Sequence, residues 1–441
     1  SEELWPGYQV STAAYVVSLL EPQIMADLRL RDYGLKILRR SPSSFTPLLD
    51  GRSLTLGPDM AECQKQIAQF SKADAENYPL YCEMLERVAR QLEPLMRRTA
   101  PNPLPLPQSW RKKGVLSKVR NGQQMWEMFQ ALGELGDDLP HAMQLLSGAA
   151  RPLLENWFES EVLRATLGTD AIIGAFQSLS SAGSAYTLLH HVMGQAGGAR
   201  GVWGYVQGGM GALANALAQA CTDLHVDILT ETEVCKILTS EGKVCGVALG
   251  NGRVIETAIV ASTVDANLTF NRFLDEDDLP AEFRRAVGAI DYSSASMKIN
   301  LALAEAPKFS CVASDVIDSQ LHGTIHISPT VDYIERAFAD ALAGWPSTEP
   351  VLEITIPTSL DETIAPAGKH LMNVFVQFAP YKLAANKQWD DIKEEFADRC
   401  IAQIARYAPN VPAAIEHRQV LSPLDLERTF GLTGGNIMQG A

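Results

Sequence analysis

No two of the seven cysteines are spaced C-x-x-C, so the chain carries neither a zinc ribbon nor a thioredoxin-like dithiol. An odd set (Cys63, Cys82, Cys221, Cys235, Cys245, Cys311, Cys400) with no disulfide framework points to a reducing compartment. No apolar run approaches the roughly 18–20 residues of a membrane-spanning helix. Positive charge is also short: 37 Lys and Arg against 52 Asp and Glu leave a net charge of −15. That excludes nucleic acid as the main partner, because phosphate contacts need a basic surface. The start, SEELWPGYQV, is neither a signal peptide nor a basic transit peptide. No acid, base or nucleophile motif stands out, so no catalytic residue is named. His190 and His191 point about 100° apart on a helix and cannot share a metal, and no third ligand follows by spacing.

What is present describes a globular enzyme. Hydrophobic residues make up 46% and charged residues 20% of the 441 positions, enough for two or three domains. The most readable stretch is Gly201–Ala220, GVWGYVQGGMGALANALAQA. Trp203, Tyr205 and Val206 predict a short strand, Gly208 and Gly209 a break, and Leu213 and Leu217 one face of a following helix. Strand, Gly-Gly, helix lets a backbone approach a flat or phosphorylated ligand, because no Cβ intervenes and free N–H groups point outward. Gly209–Ala214 fits a relaxed dinucleotide fingerprint, G-x-G-x-x-A, with Glu231 about 20 residues on at the ribose position.

Residues 1–58 read as strands and loops, with an Asp50-Gly51 hairpin turn between Pro47–Leu49 and Ser53–Leu56. From 59 to 200 the spacing is helical: Met60, Cys63, Ile67 and Phe70; Tyr81, Leu85, Val88 and Leu92; Met125, Met128, Phe129 and Leu132; then Trp157–Leu167 and Ala185–Met193. Pro101, Pro103, Pro105 and Pro107 form a stiff connector within this insert. Beyond the Gly-Gly helix, His225–Leu229 and Ala258–Ala261 read as buried parallel strands. Between them Glu233–Thr239, Lys243–Leu249 and Arg253–Thr257 form a meander, turned at Glu241-Gly242 and Asn251-Gly252. A meander crossover belongs to FAD-binding folds rather than to an NAD-type Rossmann unit. Taken with the family resemblance of the blocks given next, it implies that Gly208–Gly211 is a flavin-facing turn rather than a pyrophosphate loop, and that Glu231 has no ribose role. The strands Ser296–Leu303, Val351–Ile356 and His370–Phe378 and the helices Val331–Ala343 and Trp389–Tyr407 form an α+β unit. Its Phe- and Val-rich strands are those of a sheet core, or of a hydrophobic cavity wall.

Several blocks carry a family resemblance: Asp59–Phe70, Trp157–Glu161, Leu188–Gly194, Trp203–Leu213 and Pro423–Ile437. With them the chain resembles the phytoene desaturase-like FAD-dependent oxidoreductases over nearly its whole length. The resemblance implies a fold that is α/β plus α+β, with a discontinuous FAD-binding Rossmann-like domain, a substrate domain and a helical insert. Segments 1–58 and 201–290 then belong to the FAD domain, 59–200 to the helical cap, 291–430 to the substrate domain, and 431–441 to the start of the return. The family's N-terminal G-x-G-x-x-G and its C-terminal flavin segment are expected just outside the two ends. The turn Gly208-Gly209-Met210-Gly211 matches the motif that packs near the isoalloxazine. Val234 matches the residue whose backbone meets the adenine, Trp203 and Tyr205 face the flavin pocket, and Gly434-Gly435 lines the same cavity. The implied activity is FAD-dependent oxidation of a small apolar substrate, in the mitochondrial matrix if the source is eukaryotic and in the cytoplasm otherwise, with at most peripheral membrane contact. Two alternatives stand beside it: a non-catalytic module with a protein partner in the respiratory chain, and a carotenoid desaturase or isomerase.

Overall fold

The computed structural model describes residues 1–96, 98–102, 114–196, 199–312 and 317–440. Most of the proline connector (Pro103, Pro105, Pro107) lies outside the described residues.

The centre is a seven-stranded sheet in the order Ile415–Leu421, Ser296–Leu303, His370–Gln377, Val351–Thr355, Thr324–Ile327, Ser44–Pro47, Ser53–Leu56. Neighbours run antiparallel except Thr324–Ile327, which lies parallel to Ser44–Pro47. The Asp50-Gly51 turn closes the last hairpin, with Gly51 at φ +86° and Asp50 Oδ1 accepting from Arg52 N at 3.0 Å.

Side-chain alternation gives this sheet two different faces. Met297, Ile299, Leu301, Ile354, Met372, Val374 and Val376 pack against the helix Trp389–Ala405 through Trp389, Phe396, Cys400 and Ile404. The other face meets a helical layer whose core includes Tyr81, Met84, Val88, Leu145, Leu153, Leu163 and Leu189. That layer contains Lys72–Met96, Leu139–Ser147, Ala150–Trp157, Glu161–Thr169 and Ser184–Met193.

The helical run read through Trp157–Leu167 is two helices. The chain breaks at Phe158–Ser160, where the buried Asp74 carboxylate accepts from Glu159 N and Ser160 N, both at 2.8 Å. Ser160 then caps Glu161–Thr169. Met125–Leu132 does lie on a helix, Val115–Glu134, yet Trp126 and Phe129 on it are 64% and 57% exposed.

The meander forms as expected, with Val234–Ser240, Lys243–Leu249 and Val254–Glu256 antiparallel. The flanking segments do not become strands. Among the described residues no ladder partner lies beside His225–Leu229 or Ala258–Ala261, and Ile228 and Ile259 remain 50% and 84% exposed. Apolar, β-branched sequence alone does not make a strand, because its N–H and C=O groups need a neighbouring chain. Within the strand-and-loop opening, Val16–Leu20 forms a single bridge among the described residues, Val17 to Gly204. The strand–turn–helix of the glycine stretch is present. Gly204–Val206 pairs with Ile37–Arg39, Gly208 and Gly209 take φ +79° and +77°, and Met210–Asp223 is helical.

Candidate active site

The sheet face toward the helical layer is buried and polar. One row across it reads Lys298, Phe375, Glu353, His326, each opposite the next in register. The neighbouring row reads Asn300, Asn373, Thr355. A run such as LMNVFVQF looks continuously apolar, but Met372, Val374 and Val376 take one face and Asn373 and Gln377 the other. Gln377 ties this face to the helical layer: its amide donates to Ile172 O and Ala175 O, and its Oε1 accepts from Gly174 N.

Lys298 is 3% exposed, and its ammonium donates to Ser11 O and Ala13 O, each at 2.5 Å. It lies 4.5 Å from the Tyr15 ring centroid. Among the described residues no carboxylate is within ion-pair distance, and burial pushes its pKa well below the usual lysine range.

Tyr15 stands between two cavities. The smaller, about 10 Å³, is room for one water and lies among Ser11, Tyr205, Gly209, Met210, Asp361 and Asn373. The larger, about 220 Å³, lies between the sheet and the helical layer. Its polar lining is Arg40, Ser44, Asp170, His191, His326 and Glu353, and its walls include Leu56, Tyr78, Ile173 and Trp203.

Each polar group there is held by a different element. Arg40 follows the strand Ile37–Arg39, its N–H bound to Trp203 O, and its Nη1 donates to Thr324 Oγ1 at 2.6 Å. The Arg40 Nε is buried without a partner. Asp170 follows the helix Glu161–Thr169; burial raises its pKa, against the pull of His191 and Arg40. Glu353 sits mid-strand, and burial, aided by the Asp170 charge, pushes its pKa up to about 8. Burial holds the His326 imidazole neutral, with its pKa near 3, and its Nδ1 lies 3.2 Å from Thr169 Oγ1.

The structure separates the residues expected to meet a cofactor. Trp203 lines the larger cavity, stacked on His191 at 5.2 Å between centroids. Tyr205, Gly209 and Met210 line the smaller one. Val234 opens the meander. Gly434 and Gly435 lie in the turn Thr433–Gly435 against Tyr292 O and Pro423 O, and line neither cavity. His190 stacks on Tyr186, away from His191 and its cavity. Among the described residues no group of three or more His, Cys, Asp or Glu is placed to hold a metal, and all seven cysteines are free thiols.

A pocket built from a sheet face, a helical layer and a glycine turn can be set against known proteins. The family model for flavin containing amine oxidoreductase matches residues 64–423. The chain belongs to that family. It is 41% identical over 454 residues to a rat (Rattus norvegicus) protein, "Pyridine nucleotide-disulfide oxidoreductase domain-containing protein 2", covering all of this chain and 78% of the rat protein. A chloroplastic prolycopene isomerase of Daucus carota is 25% identical over 234 residues, 52% of this chain and 35% of that protein, in keeping with the phytoene desaturase-like branch. The fold matches that of an oxidoreductase from Methanosarcina mazei with a TM-score of 0.55 at 15% identity, over 95% of this chain and 78% of that one.

Membership makes this chain an oxidoreductase of a flavin-dependent family. The glycine turn does not fit a dinucleotide's phosphates as it stands. Its N–H groups are taken by the protein: Gly208 donates to Asp361 Oδ2 at 2.6 Å, Met210 to Ser11 Oγ at 3.1 Å and Gly211 to Ser1 Oγ at 3.0 Å. The space beside it admits one water. No chemical step is therefore derived through a flavin.

Sequence reasoning missed Arg40, Asp170, His326, Glu353 and Lys298. The available signal was a charged residue in mid-strand between apolar neighbours, Lys298 in SMKIN and Glu353 in VLEIT. A buried strand holds such a residue at a cost, which is a mark of function.

Proposed function

We propose that the protein is an FAD-dependent oxidoreductase whose substrate enters the 220 Å³ cavity between the sheet and the helical layer. The observation that supports this most is the buried polar face itself. In a chain of this family, a sheet face that puts Glu353 and His326 on a cavity, with the buried Lys298 in the same row, costs stability and points to a binding role. Tyr15, Trp203, Leu56 and Ile173 give the cavity an apolar wall for the body of the substrate. The protein's own contribution is orientation, exclusion of water and electrostatics around the reacting bond, and a bound flavin would supply the redox chemistry.

The test is the flavin content of the purified full-length protein, with the released cofactor identified by chromatography and mass. Stoichiometric FAD is expected. A colourless, flavin-free preparation that stays so after incubation with FAD refutes the reading.

A further inference from the structure

The larger cavity holds hydrogen-bonding capacity that the protein does not use. Asp170 and Glu353 both line it, and among the described residues neither carboxyl group makes a hydrogen bond or an ion pair. Arg40 lines it too, 7% exposed, with Nη1 on Thr324, the guanidinium 5.7 Å from the Tyr205 ring centroid, and Nε buried and unpartnered. Ser44 Oγ is a further buried group without a partner. Polar groups without protein partners beside a cavity must be paired by water or by a ligand.

The two carboxyl groups are also held in place. Glu353 is fixed in register between Phe375 and His326. Asp170 ends a helix whose start is pinned by Asp74, and the turn after it is pinned by Gln377. The titratable groups around the pair include Tyr78, which lines the same cavity, and Tyr81, which feels the Asp170 charge. Arg40 acts on both carboxyls, and His191 acts on Asp170. His326 stands opposite Glu353 in the sheet, buried and neutral, and Tyr15 feels the Glu353 charge from the opposite wall. One arginine acting on two carboxyls that line the same cavity favours a state in which one carboxyl is ionised and the other keeps its proton.

We propose that Asp170 and Glu353 act as an electrostatically coupled carboxyl pair in the substrate pocket, with one proton held on Glu353, and that the substrate's head group carries an exchangeable O–H or N–H. The proposal rests on reading this cavity as the substrate pocket. It narrows an apolar substrate to one with an apolar body and a polar head. In one direction the head group's heteroatom–hydrogen bond breaks, the electron pair stays on the heteroatom, and the proton joins a Glu353 carboxylate. In the other, the Glu353 O–H breaks and its proton goes to the heteroatom. Neither direction needs an oxidant. Arg40 favours the ionised form of Asp170.

The test is a carboxyl titration by NMR on full-length protein carrying carboxyl-labelled Glu and Asp. One Glu signal should titrate near 8, against an ordinary 4.5, and vanish in Glu353→Gln. In Asp170→Asn it should move down by at least a unit, a tenfold loss of proton affinity. This second variant keeps the coupling testable if Glu353→Gln does not fold. Titration of Glu353 in the ordinary range, or no response to Asp170→Asn, overturns the pair. Benzyl alcohol and toluene then probe the pocket, being similar rings with and without an exchangeable proton. The alcohol alone should shift the Glu353 signal, and equal shifts or none overturn the head-group assignment. The readout is not turnover. A flavin-free protein with Glu353 near 8 therefore sinks the oxidoreductase reading and leaves the pair. A flavin-loaded protein with an ordinary Glu353 does the reverse.

Discussion

Asp74→Ala should weaken the helical layer and the cavity together, although Asp74 does not line the cavity. Its carboxylate is 1% exposed and accepts two backbone N–H bonds at 2.8 Å, from Glu159 and Ser160. These bonds hold the break between the helices Ala150–Trp157 and Glu161–Thr169. A hydrogen bond to a charged group is worth about 1.5–3 kcal/mol, so losing two removes about 3–6 kcal/mol. Glu159 is exposed and water can replace its bond, whereas Ser160 is half-buried, so the lower end, about 3 kcal/mol, is expected. Asp74→Asn retains one acceptor oxygen and should cost about half as much.

The consequence reaches the site because Glu161–Thr169 carries Thr166 and Thr169 and is followed by Asp170. Thr166 bonds Thr46 on the sheet at 2.8 Å, and Thr169 lies 3.2 Å from His326. A helix that has lost its anchored start should fray from there. Denaturant unfolding gives the stability loss, and amide hydrogen exchange across residues 160–172 gives the local effect. A loss below about 1 kcal/mol for Asp74→Ala, with exchange in that segment unchanged, would show that the break is held by packing alone.

Two further predictions follow from the same structure. The His326 pKa is near 3 in the folded protein against 6.5 when unfolded. Its contribution is therefore fully present above pH 6.5 and is lost as pH falls toward 3, because the unfolded chain binds a proton that the folded one refuses. The stability difference between wild type and His326→Gln should shrink on acidification, and a constant difference from neutral pH to about pH 4 would refute the assignment. Gly435→Ala places a Cβ 2.2 Å from Pro423 O at φ +65°, whereas Gly252→Ala meets open space at φ +83°. Gly252→Ala should cost about 1 kcal/mol and Gly435→Ala clearly more, and equal shifts in melting temperature would show that the Thr433–Gly435 turn moves freely.

What was legible in the sequence depended on how far apart the interacting residues lie. The turns at Asp50-Gly51, Glu241-Gly242 and Asn251-Gly252 are set by neighbouring residues, and each stands where local chemistry puts it. The helix read over Trp389–Tyr407 is set by a periodicity of a few residues and forms over Trp389–Ala405. The break at Phe158–Ser160 was not legible, because it is made by Asp74, more than eighty positions away. His225–Leu229 and Ala258–Ala261 failed for a related reason, since a strand is a property of two chains and the sequence shows one. The cavity is the extreme case. Arg40, Asp170, His326 and Glu353 come from four separate elements, so no spacing motif could contain them. Their only sequence mark is the misfit of a charge or imidazole among apolar strand neighbours, as in TIHI and VLEIT. Tested by alternation, those strands divide into a core face and a polar face. That division locates the site more closely than the glycine turn, whose N–H groups the protein itself has already filled.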